Sequence, residues 1–205
     1  MSFAMAPVLI LAAASTAAPE GECREKPDVT VWSSPESPVA GEPLRLLVVA
    51  EAVKAGEISV GAPGKKPSPV PTIRRGGPPF SFYAELPAPA AGNHRIQLVA
   101  DGRVLTCKSV TVGPRGKARH RALTSPVWEN TRAWDRTTEN LYSAWIEALF
   151  DAPAEESVSF PSLAPVLRDP KRNFFYGHLG LREDDPKNKA VPPAEPDCAD
   201  LPYYL

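Results

Sequence analysis

The chain has 205 residues, with 23 Lys and Arg against 24 Asp and Glu, so its formal net charge is −1 and its pI is near 6.3. This length allows one large domain or two small ones, and the balanced charge excludes the strongly basic character that nucleic-acid or polybasic membrane contacts require. Twenty-five prolines exceed the usual share for a globular chain; because apolar segments lie between them, they point to many loops and short strands.

Residues 1–18 contain Val8-Leu9-Ile10-Leu11-Ala12-Ala13-Ala14 and then Ser15-Thr16-Ala17-Ala18. An apolar run closing on small residues fits a secretory signal peptide cleaved after Ala17 or Ala18, although no Lys or Arg precedes the run. The run is too short to be a permanent membrane span. Export to the periplasm, the cell envelope or the exterior is therefore expected. Three cysteines in an exported protein leave one unpaired. The simplest arithmetic joins Cys23 to Cys107 and leaves Cys198 free. Such a bridge closes a long loop and stabilises by roughly 4 to 5 kcal/mol at most in the chain-entropy account.

Residues 23–114 read as short strands separated by Pro and Gly turns. Residues 29–32 alternate in character and stop at Ser33-Ser34-Pro35. The turn Pro38-Val39-Ala40-Gly41-Glu42-Pro43 leads into a run rich in Leu and Val at 44–50, and residues 57–60 are a further strand candidate. Residues 61–71 read as a polar loop. Phe80, Phe82, Ala84 and Leu86 share one face of an extended segment while Ser81, Tyr83 and Glu85 share the other, the period of two that marks a strand. Residues 96–100 and 104–112 flank Asp101-Gly102, a strong hairpin signal because a type I′ turn needs positive φ at both central positions. Regular short strands with turn signals between them suggest a β-sandwich.

The Ala-Gly-Glu-Pro-Leu and Ala-Ala-Gly-Asn-His-Arg-Ile phrases before strands resemble those of bacterial immunoglobulin-like modules. No catalytic constellation stands out in this half. His94 reads as a surface residue preceding a strand. Arg74-Arg75-Gly76-Gly77 reads as a basic loop tip, either a solvated turn or a contact for an anionic wall polymer.

Residues 115–125 include the basic, non-periodic Arg115-Gly116-Lys117-Ala118-Arg119-His120-Arg121 and read as a linker. Beyond it the periodicity becomes helical. Ser125-Pro126 offers an N-cap followed by Pro at the first helical position. Trp134, Thr138, Leu141, Trp145, Ala148 and Leu149 follow at steps of three and four, predicting a helix with two Trp on its core face that ends near Asp151-Ala152-Pro153. Residues 161–167 can form a short helix. Asp169-Pro170 opens a further predicted helix over 171–179, closed by Gly180. Glu183, Asp184 and Asp185 have no calcium-loop spacing and read as a solvated loop.

The chain then reaches Asp197-Cys198-Ala199-Asp200-Leu201-Pro202-Tyr203-Tyr204-Leu205. Asp197 can cap a helix N-terminus and Asp200 sits where a capping-box acid reaches back. A thiol in that first turn faces the positive end of the helix dipole, which lowers its pKa and enriches the nucleophilic thiolate. The segment resembles the nucleophile region of NlpC/P60-type cysteine peptidases, relatives of papain and the transglutaminases, which write Asp-Cys-small-x-Leu at the start of the catalytic helix. Pro202 requires this helix to begin very near residues 198–200. The resemblance implies Cys198 as nucleophile, its backbone N–H as oxyanion donor, and a His base downstream. No His follows Cys198, so a chain ending here would lack that base and be inactive. His178, in Phe174-Phe175-Tyr176-Gly177-His178-Leu179-Gly180-Leu181, lies before the Cys; it reads as a His near a helix C-terminus, with a role as base the alternative.

Together these readings predict a signal peptide (1–18), an all-β immunoglobulin-like sandwich (23–114), a linker (115–125), and a mainly helical segment (126–205) forming the opening half of an α+β cysteine-hydrolase-like domain. The expected function is peptide or amide hydrolysis in the cell envelope by Cys198, with no metal or organic cofactor. The rival is a non-enzymatic secreted binding or adhesion protein. The partner expected in either case is cell-wall peptide or polysaccharide, with no nucleic acid and no stable membrane span.

Overall fold

A computed structural model describes residues 23–116, 134–152, 162–180, 185 and 187. Eight strands come first: β1 (Val29–Ser34), β2 (Leu44–Ala50), β3 (Glu57–Gly61), β4 (Ser68–Pro69), β5 (Ile73–Gly76), β6 (Phe80–Leu86), β7 (Gly92–Ala100) and β8 (Arg103–Val112). They form two antiparallel four-stranded sheets, ordered β1-β2-β6-β5 and β4-β3-β7-β8. With the strands lettered in chain order, the sheets are A-B-E-D and C′-C-F-G, a sandwich of two antiparallel sheets. The turn between β7 and β8 has φ of 50° at Asp101 and 70° at Gly102, the paired positive values that a tight hairpin demands.

The period of two in β6 decides which side chains meet the opposite sheet. Phe80, Phe82 and Ala84 point inward with Leu44, Leu46 and Val48 of β2, against Ile58, Ile96, Leu98, Val110 and Val112 of the second sheet. The chain's start is tied to the last strand. Cys23 is bonded to Cys107, the Cys107 N–H donates to the Arg24 carbonyl at 3.0 Å, and the Lys26 N–H donates to Thr106 Oγ1 at 3.2 Å. After β1 the chain crosses to the other sheet, where the Ala40 N–H donates to the Gly113 carbonyl at 2.9 Å and the Gly113 N–H to the Pro38 carbonyl at 2.8 Å.

Strand β2 is buried along its whole length, because its outer face is covered as well. Leu47 and Val49 of β2 and Tyr83 of β6 form a second core with Leu141, Ala144, Trp145 and Leu149 of helix α1 (Arg136–Leu149), and with Val166, Leu167 and Phe174. The buried positions of α1 fall at 141, 144, 145, 148 and 149, the spacing of one helical stripe. Asp135 caps the helix by accepting from the Thr138 N–H at 2.8 Å. Arg172 closes it by donating to the Leu149 carbonyl at 3.1 Å. Each apolar side chain removed from water here contributes about 1.5 to 3 kcal/mol before entropy is counted.

The expected mainly helical segment, the opening half of an α+β cysteine-hydrolase-like domain, is not what the described residues form. Among the described residues the protein is mostly β, and its helices are α1, with 14 residues, and α2 (Ala164–Leu167), with four. The predicted helix over 171–179 is a succession of turns. Asn173 supplies the reason. Its amide donates to the Leu167 carbonyl at 2.7 Å and its Oδ1 accepts from the Phe175 N–H at 3.0 Å, so the side chain satisfies backbone groups that a helix would otherwise use. Gly177, with φ of 64°, then turns the chain out of the helical region.

Helix α1 also starts later than Ser125-Pro126 suggested. Residues 126–133 lie outside the described residues; Asp135 caps, and Trp134 precedes the helix with 63% of its surface exposed. Of the two Trp expected in the core, only Trp145 is buried. Trp134 instead packs edge-on against Tyr142 at 5.5 Å between ring centroids.

Candidate functional site

Strand β1 is an edge strand, and a groove runs along it. Its walls are Glu25, Lys26 and Pro27 from the chain's start, Thr30 and Trp32 from the outer face of β1, Ser33 and Glu36, Lys108 from β8, Thr137 from the first turn of α1, and His178, enclosing a volume of 540 Å³. That falls inside the range of about 300 to 1,000 Å³ for clefts that hold small ligands. The two carboxylates and two ammonium groups on the walls cancel in formal charge.

The edge of β1 is not open for strand pairing at its centre. The Val31 N–H donates to Glu25 Oε1 at 2.9 Å, and Lys108 Nζ donates to the Val31 carbonyl at 2.6 Å. Glu25 and Lys108 pair with each other at 3.4 Å. Together they cap the outward-facing backbone groups of Val31 with side chains, one way sheet edges are protected. Lys108 Nζ also lies 5.9 Å from the centroid of the Trp32 ring. The Trp32 Nε1 is buried with no hydrogen-bond partner among the described residues.

Behind the groove lies a buried polar network. Ser34 is fully buried, accepts from Arg45 at 3.5 Å, and is hydrogen-bonded to His178 Nδ1 at 3.1 Å. Arg45, itself buried, donates to the Tyr176 carbonyl and lies 6.0 Å from the Tyr176 ring centroid. Burial lowers the Arg45 pKa, while Tyr83, Glu85 and Tyr176 oppose that shift. The Tyr83 hydroxyl donates to Glu85 at 3.3 Å, and its pKa is pushed up to about 12, first by burial and then by the Glu85 charge. A serine hydrogen-bonded to an imidazole has the partners of a nucleophile and base. Here Ser34 is sealed from solvent, so the pair holds the 173–178 turns against β1 and offers no oxygen to a substrate.

A second cluster fixes the wall that carries Thr137. Arg136 binds Glu51 through Nε at 2.7 Å and its terminal nitrogen at 3.0 Å, and Asn140 donates to the same carboxylate at 2.9 Å. Hydrogen bonds from Arg136 and then Asn140 hold the Glu51 pKa below the ordinary carboxylate range.

Cys198, the residue singled out as nucleophile and oxyanion donor, lies outside the described residues, as do residues 1–18, most of the 115–125 linker, Glu183 and Asp184. Asp185 accepts from the Lys187 N–H at 2.9 Å. His94 is no surface residue: it belongs to β7, is buried, and its Nε2 donates to the Ala90 carbonyl at 2.8 Å. The Arg74–Arg75 pair is not a loop tip but part of edge strand β5. Arg74 donates to the Lys54 carbonyl at 3.2 Å, and Arg75 pairs with Asp151 at 3.4 Å. Among the described residues, no three His, Cys, Asp or Glu side chains cluster closely enough to hold a metal ion, and no helix is long and apolar enough to cross a membrane.

Sequence reasoning did not find the groove. Its one legible signal is Trp32, an aromatic on the outward parity of a strand whose inward positions are Val29 and Val31. No protein-family model matches the chain and no curated protein matches it.

Proposed function

We propose that this is an exported cell-envelope protein whose β-sandwich acts as a non-enzymatic binding module, with the groove beside β1 receiving cell-wall peptide or polysaccharide. The groove itself carries the reading: a half-buried aromatic ring, hydroxyl groups and paired charges gathered from four separate parts of the chain, the mixture of one apolar surface and a few polar groups that small-ligand sites use. The Cys23–Cys107 bridge supports the exported location, since disulfides persist in oxidising compartments. Co-sedimentation of the purified protein with isolated cell-wall sacculi tests it. Retention on the pellet is the expected result, and a protein that stays wholly in the supernatant ends this reading.

A second reading keeps Cys198 as the thiolate of an NlpC/P60-like cysteine hydrolase acting on peptide or amide bonds. What favours it is the disulfide: with Cys23 and Cys107 bonded to each other, Cys198 is the remaining cysteine of three. Alkylation of Cys198 measured against pH separates the two readings. Rapid reaction well below neutral pH supports the nucleophile; an ordinary or raised thiol pKa removes it.

A further inference from the structure

We infer that the groove beside β1 takes an uncharged saccharide in preference to a peptide or an anionic polymer; this rests on the binding-module reading above and narrows it. A peptide that binds an edge strand gains its affinity from the strand's outward N–H and C=O groups. At Val31, in the middle of β1, both are already occupied, by Glu25 at 2.9 Å and by Lys108 at 2.6 Å. The groove therefore meets its ligand with side chains. Among those side chains are the Trp32 ring, the hydroxyls of Thr30, Ser33 and Thr137, and charged groups that include Lys26 and the carboxylate of Glu36. An indole presents a broad apolar face, which suits the C–H face of a pyranose ring. Hydroxyls act as both donors and acceptors and a carboxylate as acceptor, which suits the hydroxyl rim of the same ring. The wall charges cancel, so an anionic polymer gains no net attraction there, and Lys108 is held by Glu25 and the Val31 carbonyl.

The test is calorimetric titration of the full chain with chitotetraose in its fully N-acetylated, uncharged form, with a wall stem tetrapeptide, and with a glycerol-phosphate polymer. Chitotetraose is expected to bind, while the other two bind at least about tenfold more weakly. Trp32→Ala is expected to weaken chitotetraose binding about tenfold through loss of the ring contact. Because Trp32 also packs against the second core, Thr30→Arg serves as a second variant that fills the groove from the strand's outer face, and it should weaken binding as much. Val104→Ser, on an exposed position of β8, should leave binding unchanged. If the peptide or the phosphate polymer binds and the saccharide does not, the saccharide assignment is overturned while the binding module stands. Chitotetraose affinity that survives both groove variants overturns the location. If none of the three binds and sacculi are not retained, both readings fall together.

Discussion

The indole N–H of Trp145 donates to Oδ1 of Asn173 at 3.0 Å, with both side chains buried. This bond joins helix α1 to the turns that follow α2, and those turns carry His178 to the groove. Asn173 makes three such links, to Trp145, to the Leu167 carbonyl and to the Phe175 N–H. Replacing it by Ala strands several buried polar groups at once. Asn173→Ala is expected to cost about 2 to 4 kcal/mol and Trp145→Phe about 1 to 2 kcal/mol in urea unfolding. The double variant should lose less than the sum of the two, because the residues share one bond. Strict additivity would show that this bond does not couple helix and turns.

Leu47 lies on the outer face of β2 beneath α1 and is 4% exposed. Leu47→Ala is expected to destabilise by about 2 to 4 kcal/mol. It should also speed limited proteolysis within α1, since that helix is held chiefly by this contact face. Val104→Ala, at an exposed position of β8, should fall within about 0.5 kcal/mol of the parent. Equal effects at the two sites would mean that the outer face contributes little.

Thiol counting checks the cysteine assignment directly. Denatured, unreduced protein should release one reactive thiol, and reduced protein three. Changing both Cys23 and Cys107 to Ala should lower stability by up to roughly 4 to 5 kcal/mol, the entropy of a long closed loop. Three thiols before reduction would exclude the bridge.

The N-terminus of α1 should respond to acid. Glu51 is held below its ordinary pKa by Arg136 and Asn140, and Asp135 by its hydrogen bond to the Thr138 N–H. A carboxyl group whose pKa is depressed by folding stabilises the fold above its unfolded value, about pH 4. That stabilisation is lost as pH falls through the lower folded value. Thermal stability is therefore expected to decline below about pH 4, and the decline should flatten in Glu51→Gln. An identical acid profile in that variant would remove Glu51 from the account.

Much of the sandwich was legible because its strands are amphipathic on a period of two, as in 80–86, and because Asp101-Gly102 marks its hairpin. Residues 44–50 are legible as a strand, and the unbroken apolar run within them also signals a second covered face. A strand buried on one face alternates, whereas one buried on both does not; Leu46, Leu47, Val48 and Val49 in succession announce a second layer over the sheet. His94 reads as a surface residue only if β7 begins at Ile96; the inward parity of Ile96 and Leu98 extends back to 94. The turns at 171–179 were misread because Asp169-Pro170 is a sound helix start, and nothing local shows that Asn173 will be claimed by Trp145, twenty-eight residues earlier. The groove was hidden for the same reason: Glu25, Lys108, Thr137 and His178 meet only through tertiary structure.

The plug on the rim of β1 is delivered by the staple beside it. Cys23 is two residues from Glu25, and Cys107 adjoins Lys108. Domains of this architecture, when crowded, are prone to zip together rim to rim into filaments. In this chain the disulfide anchors both residues of the guard against that fate. Reduction would remove only the covalent part of that anchor, leaving the hydrogen bonds of Arg24 and Lys26 to β8 and the Glu25–Lys108 pair to keep the backbone of Val31 covered.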